Sequence, residues 1–301
     1  MKALVVGCGS IGSRHMRILK ELGHDTALVS RHRMDSSIYR STAAALTQLQ
    51  PDYVVIANRT HEHRNTLMTL LDRGYDGTVL VEKPLFHTPL PVDSTATGRV
   101  FVGYNLRFHP VMRALCAQLQ FERIISAQVY AGQYLPTWRR QDYRLGYSAR
   151  RAEGGGVLRD LSHELDATLH LFGHWQRVAA MGGRYSSLEI DSDDTYGLLI
   201  ATNRCPLVSI QINYLDRAKR REILVNTDRH TYRACLIHDT LQVDDLVQHM
   251  PSSIDATYRA EHEAVLTGDL SALCTVEEAL VTLQLIDAAE QSASTGKWVT
   301  R

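Results

Sequence analysis

Residues 3–12 read A-L-V-V-G-C-G-S-I-G. Four apolar residues run into Gly7-Cys8-Gly9-Ser10-Ile11-Gly12. A helical pattern follows to about Leu22, and Gly23 suits the left-handed position that ends a helix. A G-x-G-x-x-G run with a strand before it and a helix after it marks a dinucleotide-binding turn. Gly7 permits the tight turn, Gly9 lets backbone approach a pyrophosphate, and Gly12 lets helix and strand pack closely. The helix N-terminus, at Ser10, Ile11 and Gly12, offers N–H groups and a positive dipole to that phosphate. Cys8 reads as a small filler in the turn.

Outward from this turn the pattern repeats. Strands are predicted at 26–29, 53–57, 78–85 and 99–105, with a helix at 41–50 and another that follows His63 and runs to Arg73 between them. Such alternation predicts an α/β domain with a parallel, doubly wound sheet. The second strand ends in Ser30-Arg31-His32-Arg33. An NAD site usually places an acidic residue here for the ribose 2′-hydroxyl. Ser30 and Arg31 instead suit a 2′-phosphate, so NADP is expected over NAD; the alternative is that the arginines only solvate the loop. Asn58, Thr60 and His63, at the end of the 53–57 strand, are candidate cofactor contacts. His61 and His63 are spaced i, i+2 and share no helix face, so no metal site is expected there.

The stretch 78–85, T-V-L-V-E-K-P-L, breaks from a β-branched run into Glu82-Lys83-Pro84. Ligands of open α/β sheets bind outside the carboxyl ends of the strands. Lys83 either holds a substrate oxygen or moves a proton there, or it merely solvates a strand end. The 99–105 strand also ends in polar groups, Tyr104-Asn105-Leu106-Arg107.

The chain has 301 residues, enough for two domains. Lys+Arg and Asp+Glu both number 33, which argues against a broad nucleic-acid-binding face. No apolar run approaches the length of a membrane span. Met1-Lys2 leads directly into a strand, so no signal peptide is expected. The five cysteines are scattered without a C-x-x-C pair, which predicts free thiols in the cytoplasm and no zinc site.

Beyond residue 108 the pattern changes. A linking helix is expected at 111–119 and a strand at 124–131. The loop 132–153 is long, aromatic and basic, with Tyr143 among its candidate substrate contacts; it predicts a lid or an interface loop. Gly154-Gly155-Gly156 then opens a predicted helix over 157–172. Leu158, Leu161, Leu165, Leu169 and Phe172 form its apolar stripe, with Asp160, His163, Glu164 and Ala167 opposite. An imidazole beside a carboxylate suits proton transfer near neutral pH. Short strands from 178 to 244 predict antiparallel pairing. Asp191, Asp193 and Asp194 read as a solvated turn. Arg217, Lys219, Arg220 and Arg221 read as a solvated hairpin or an anion clamp. A helix at 254–266 and a capping box at Thr275–Glu278 complete the chain.

Taken together, the Gly7–Gly12 loop, Glu82-Lys83-Pro84, the polar end of 100–107 and the segment 154–166 resemble the glucose–fructose oxidoreductase / inositol dehydrogenase / MocA family over nearly the whole length. The resemblance implies a Rossmann domain, 1–108, and a substrate-binding and oligomerisation domain, 109–301, whose sheet is large, open and mostly antiparallel. The helix 276–292 is expected to pack back on the first domain. It implies a metal-free enzyme of the cytoplasm that uses NADP or NAD to oxidise or reduce a CH–OH carbon of a sugar, polyol or sugar acid. It further implies a homodimer or homotetramer with no nucleic-acid or membrane partner. Glu82, Lys83 and Pro84 are implied near the cofactor, with a cis bond before Pro84. Lys83, Asp160 and His163 are implied as catalytic and substrate-facing, with Asn105 and Arg107 as further substrate contacts. One departure matters: many members space the later motif Asp-x-x-x-His, whereas here Asp160 is followed at three residues by His163, and Glu164 takes the expected offset. The proton donor is therefore either His163 or Lys83. The stretches 104–110, 133–149 and 160–166 look like a subgroup associated with bacterial surface sugars, including nonulosonic acids. The alternatives are an epimerase or glycosidase that retains its cofactor, and a non-catalytic NADP-binding sensor.

Overall fold

The computed structural model describes residues 1–30, 38–92, 98–139 and 141–301. Its first unit comprises Met1–Phe108 and Ser253–Leu280; its second comprises His109–Ser252 and Val281–Arg301.

In the first unit the chain alternates β1 (Lys2–Val6), α1 (Ser10–Glu21), β2 (Asp25–Val29), β3 (Ile38–Tyr39), α2 (Thr42–Leu49), β4 (Tyr53–Ile56), α3 (Thr60–Leu71), β5 (Thr78–Glu82) and β6 (Val100–Gly103). The sheet has seven strands when β15 (Cys274–Thr275) is included, in the order β15-β6-β5-β4-β1-β2-β3. Strands β1 to β6 pair in parallel and β15 adds antiparallel to β6. Strands β4 and β6 are buried at every position, as expected of a parallel sheet covered on both faces. On α1 the buried residues Gly12, His15, Ile18 and Leu19 follow helical spacing. The core joins Val5, Leu28, Tyr53, Val55, Leu80 and Phe101 to Ala264 and Val265 of α7 (Ile254–Thr267) and to Leu273. Ser253 caps α7 by accepting from the Ala256 N–H at 3.1 Å. The expected capping box forms at the start of α8 (Val276–Thr295): Glu278 N–H donates to Thr275 Oγ1 and Thr275 N–H to Glu278 Oε2. The predicted strand over 99–105 stops at Gly103, and Asn105–Phe108 wind into a 3-10 turn.

The second unit contains α4 (Pro110–Leu119), β7 (Ile124–Gly132), α5 (Val157–Asp160), α6 (Ser162–Phe172), β8 (Trp175–Gly183), β9 (Thr195–Thr202), β10 (Val208–Asn213), β11 (Arg220–Thr227), β12 (Thr231–Cys235), β13 (Thr240–Val243), β14 (Leu246–His249), most of α8 and β16 (Val299–Thr300). Its nine-stranded sheet runs β14-β13-β12-β11-β7-β10-β9-β8-β16. Strands β7 and β10 are parallel and the other neighbours antiparallel. Alternate residues of β9 are buried, so one face is covered. The other face carries exposed Met181 and Leu199. No helix among the described residues is long and apolar enough to cross a membrane.

Candidate active site

Register sets the edge of the parallel sheet. Val6 pairs with Ile56 and Ile56 with Val81, so β1 and β4 end level and β5 runs one residue further, to Glu82. Gly7, Ala57 and Glu82 follow directly and place the glycine turn, Asn58 and Lys83 along one edge. Gly7 sits at φ +114°, and a Cβ there would strike the Ala57 carbonyl; a Cβ on Gly12 would strike the Gly7 carbonyl. Gly9 faces open space and caps α1 without a side-chain hydrogen bond. The first N–H groups of α1, including Ser10, Ile11 and Gly12, thus form an uncovered cradle that fits a dinucleotide pyrophosphate.

Ser30 is buried at the end of β2, and its hydroxyl donates to Cys8 Sγ at 3.1 Å across the glycine turn. Arg31, its expected partner for a 2′-phosphate, lies outside the described residues. Asn58 donates to Thr66 Oγ1 at 2.9 Å, while its buried Oδ1 has no hydrogen-bond partner among the described residues. Thr60 opens α3. His63, expected as a cofactor contact, is instead buried among backbone carbonyls. Its Nδ1 lies 3.1 Å from Pro84 O and 3.2 Å from Leu85 O, and its Nε2 lies 3.1 Å from Asn58 O. Burial holds this imidazole below its ordinary range, against the opposing pull of those carbonyls. It braces the turn after Lys83.

That turn begins with a cis bond between Lys83 and Pro84. Lys83 is half-buried, between fully buried Glu82 and Pro84. Glu82 folds back so that Oε2 accepts the Lys83 N–H at 3.2 Å, while Oε1 lies 2.8 Å from His15 Nε2.

The two residues expected as substrate contacts after β6 are spent within the first unit. Asn105 is buried and donates to Thr257 Oγ1 at 2.7 Å. Arg107 is buried, 3.0 Å from Glu278 Oε2. Both tie the 3-10 turn to the 253–280 segment.

In the second unit the predicted helix over 157–172 is two helices. Leu161 adopts φ −98°, ψ 30° and separates α5 from α6. Asp160 therefore ends one helix, while His163 lies in the first turn of the next. The break has a tertiary cause. Asp193 Oδ2 accepts the Leu158 N–H at 3.1 Å, capping α5 from a distant loop. Asp160 Oδ2 accepts from Tyr214 OH at 2.6 Å, and Tyr147 also hydrogen-bonds to Asp160. Burial, with the Asp160 charge, pushes both phenols above their ordinary range. The three glycines serve the protein itself. A Cβ on Gly155 would meet the Tyr147 and Ser148 carbonyls, and one on Gly156, at φ +123°, would meet the Asp193 carboxylate.

The helix face expected to be polar is buried as well: Glu164 and Ala167 lie inside, and only His163 of that group is half-buried. Glu164 Oε1 pairs with Arg221 Nε at 2.7 Å. The rest of the basic run is divided: Arg217 lies over the Tyr134 ring and Arg220 over Tyr130. Burial, then the Arg221 charge, holds the Lys219 ammonium below its ordinary range. Of the expected solvated turn, Asp191 is exposed, whereas Asp193 is buried and Asp194 is fully buried and accepts from the N–H groups of Tyr185 and Ser186. The 132–153 segment is no bare loop. It contains four 3-10 turns, Leu135–Thr137, Tyr143–Leu145, Tyr147–Ala149 and Arg151–Glu153, pinned by Asp160 and by Ser192, which donates to Ser148 O. Tyr143 OH accepts the Glu189 N–H at 3.3 Å. Among the described residues no group of three or more His, Cys, Asp or Glu is placed to hold a metal ion.

Two family descriptions match the sequence. Residues 1–95 match the NAD-binding Rossmann fold of the GFO/IDH/MocA oxidoreductase family, and residues 117–300 match its C-terminal alpha/beta domain. The chain belongs to the Gfo/Idh/MocA oxidoreductase family. A comparison with curated protein sequences returns no match. Among solved structures, levoglucosan dehydrogenase in complex with NADH is 15% identical, with a TM-score of 0.85, over 100% of this chain and 98% of that one. GenD2 from gentamicin A biosynthesis, in complex with NAD, is 18% identical at a TM-score of 0.81, over 100% and 96%. A myo-inositol dehydrogenase from Corynebacterium glutamicum is 19% identical at a TM-score of 0.77, over 100% and 98%. At these identities the likeness shows the fold.

Within this Gfo/Idh/MocA chain the sheet edge brings together Gly7, Gly9, Ser10, Ile11, Gly12, Asn58, Glu82, Lys83 and Pro84. Asp160 and His163 belong to the second unit, and Asn105, Arg107 and His63 are structural within the first. Sequence reasoning missed His15, His262, Tyr53, Tyr147 and Tyr214. One signal was available: His15 stands in the apolar stripe of α1, where a polar residue needs a partner.

Proposed function

We propose that this protein is an NADP-dependent oxidoreductase that moves a hydride between nicotinamide and a carbinol or carbonyl carbon of a sugar, polyol or sugar acid. The observation that carries the proposal is the shared register at the carboxyl ends of β1, β4 and β5, which puts an uncovered helix N-terminus and Lys83 on one sheet edge. When bound, the dinucleotide supplies the hydride chemistry. The N–H groups after Gly9 hold its pyrophosphate. Lys83 binds the reacting oxygen as an ammonium and concentrates positive charge where negative charge develops. His163 carries the proton. NADP is preferred because β2 leads into Ser30 and Arg31 rather than a carboxylate. The five free thiols support a cytoplasmic location. Exposed Met181 and Leu199 on the second sheet face support assembly as a homodimer or homotetramer.

Fluorescence titration with NADPH and NADH tests the cofactor, together with a 340 nm scan of the protein as isolated. Tighter NADPH binding to cofactor-free protein, followed by 340 nm turnover on a panel of polyols, keto-sugars and nonulosonic acids, supports the proposal. Tight cofactor that co-purifies and never exchanges points to a reaction without net redox. No binding of either dinucleotide ends it.

A further inference from the structure

We propose that Glu82 positions Lys83 through a buried hydrogen-bond chain of fixed polarity running from Tyr53 through His262 and His15, so that both histidines are positioning residues. This rests on the proposed role of Lys83. The chain spans four elements of the first unit. Tyr53 OH on β4 lies 3.0 Å from His262 Nδ1 on α7. His262 Nε2 lies 2.9 Å from His15 Nδ1 on α1, and His15 Nε2 lies 2.8 Å from Glu82 Oε1 at the end of β5. Tyr53, His15 and His262 are at most 1% exposed and Glu82 is 7% exposed, so water does not substitute for a missing partner.

Proton bookkeeping fixes the direction. With both imidazoles neutral, each has one N–H donor and one bare nitrogen. Tyr53 O–H then donates to His262 Nδ1, His262 Nε2–H to His15 Nδ1, and His15 Nε2–H to ionised Glu82. Every contact has one proton and every donor an acceptor. The opposite direction needs a protonated Glu82 or a charged His15, and it turns the Tyr53 proton out of the chain. The surroundings favour the neutral form. Burial above all, with the Arg259 charge adding to it, holds His262 well below its ordinary range. Tyr258 stands edge-on to His15 with Arg14 over its ring, while Glu261 and Tyr75 lie toward Tyr53.

The consequence falls on Lys83. The second oxygen of Glu82 accepts the lysine's own N–H, and His63 holds the next two carbonyls. The same chain passes through α1 at His15, within the helix and away from its N-terminal cradle. His262 comes from the segment that returns to this unit after residue 252.

The test compares full-length His15→Gln with His15→Leu. Glutamine keeps one donor and one acceptor; leucine keeps neither. Four quantities are read: NADPH affinity, kcat on whichever polyol of a fixed panel the wild type oxidises, the urea midpoint, and histidine tautomers by 15N NMR. We expect His15→Leu to lose kcat by roughly 10²-fold with NADPH affinity unchanged, and His15→Gln to recover most of it. The His15 and His262 signals are expected to be those of Nε2-protonated tautomers. Wild-type turnover in His15→Leu, equal kcat loss in both variants, or an Nδ1-protonated tautomer of either histidine overturns the proposal. If the wild type binds no dinucleotide or oxidises nothing, the Lys83 role fails, and the tautomers alone still decide the chain.

Discussion

Glu82 and Asp160 are both buried carboxylates at the ends of secondary-structure elements, yet they are satisfied by different partners. Glu82 takes an imidazole and the backbone of the residue after it, whereas Asp160 takes the phenols Tyr214 and Tyr147. A carboxylate bound to its neighbour's N–H fixes the direction of the chain at Lys83. A carboxylate bound to two phenols from distant segments fixes where those segments lie. The first arrangement serves one side chain; the second gathers a loop. Burial makes both expensive to break, because the partners left behind have no water to turn to.

Substitution separates the two. The largest effect is expected at Lys83 itself. Lys83→Met should lower turnover by roughly 10²- to 10⁴-fold while NADPH affinity barely moves; equal loss of both in a titration and a rate assay would argue against its role at the reacting oxygen. Asp160→Leu comes next. It removes the acceptor of the buried Tyr214 phenol and of the half-buried Tyr147 phenol, at about 1–3 kcal/mol for the buried one stranded. Urea unfolding should report the loss, and an unchanged midpoint would show that the phenols find other partners.

The third effect is one of pH. His262 has its pKa lowered in the folded protein, so only the unfolded chain takes up a proton just below the ordinary 6.5. Its contribution to stability is complete above that value and is lost as pH falls toward the depressed folded value, at up to about 1.4 kcal/mol per pH unit. His63 adds in the same direction. Urea midpoints from pH 7.5 to 5 should decline, and His262→Phe should flatten the decline. A slope unchanged by that substitution would assign it elsewhere. The smallest effect is expected at Arg144, which lies on the surface with Asp142 and Glu189. Arg144→Ala should leave the urea midpoint unmoved, since exposed pairs are screened and mobile.

The same contrast explains what could be read in the sequence. Gly7, Gly9, Gly12 and Lys83 owe their places to strand ends and local backbone geometry, which a linear pattern displays. The break at Leu161 is invisible there, because Leu161 and Ser162 are compatible with a helix. It arises from Asp193 capping α5 and from Tyr214 holding Asp160, 54 residues away. The glycines before α5 were legible as the start of a helix, but not the crowding around two of them: Gly155 faces the Tyr147 and Ser148 carbonyls and Gly156 the Asp193 carboxylate. Arg107 and Asn105 looked like open polar groups at a sheet edge. Their partners, Glu278 and Thr257, lie more than 150 residues on, in a segment whose return to the first unit no local pattern announces.

That return has a consequence for how the protein is made. The first unit's core takes Ala264, Val265 and Leu273 from the segment Ser253–Leu280. A ribosome therefore finishes Met1–Phe108 long before it supplies the side chains that close their core. At about 5–20 residues per second, the nascent glycine turn waits on the order of ten seconds for its last wall. A fragment cut after Phe108 would stay in that condition, whereas one that splices Phe108 to Ser253 through a short linker carries its own lid of α7.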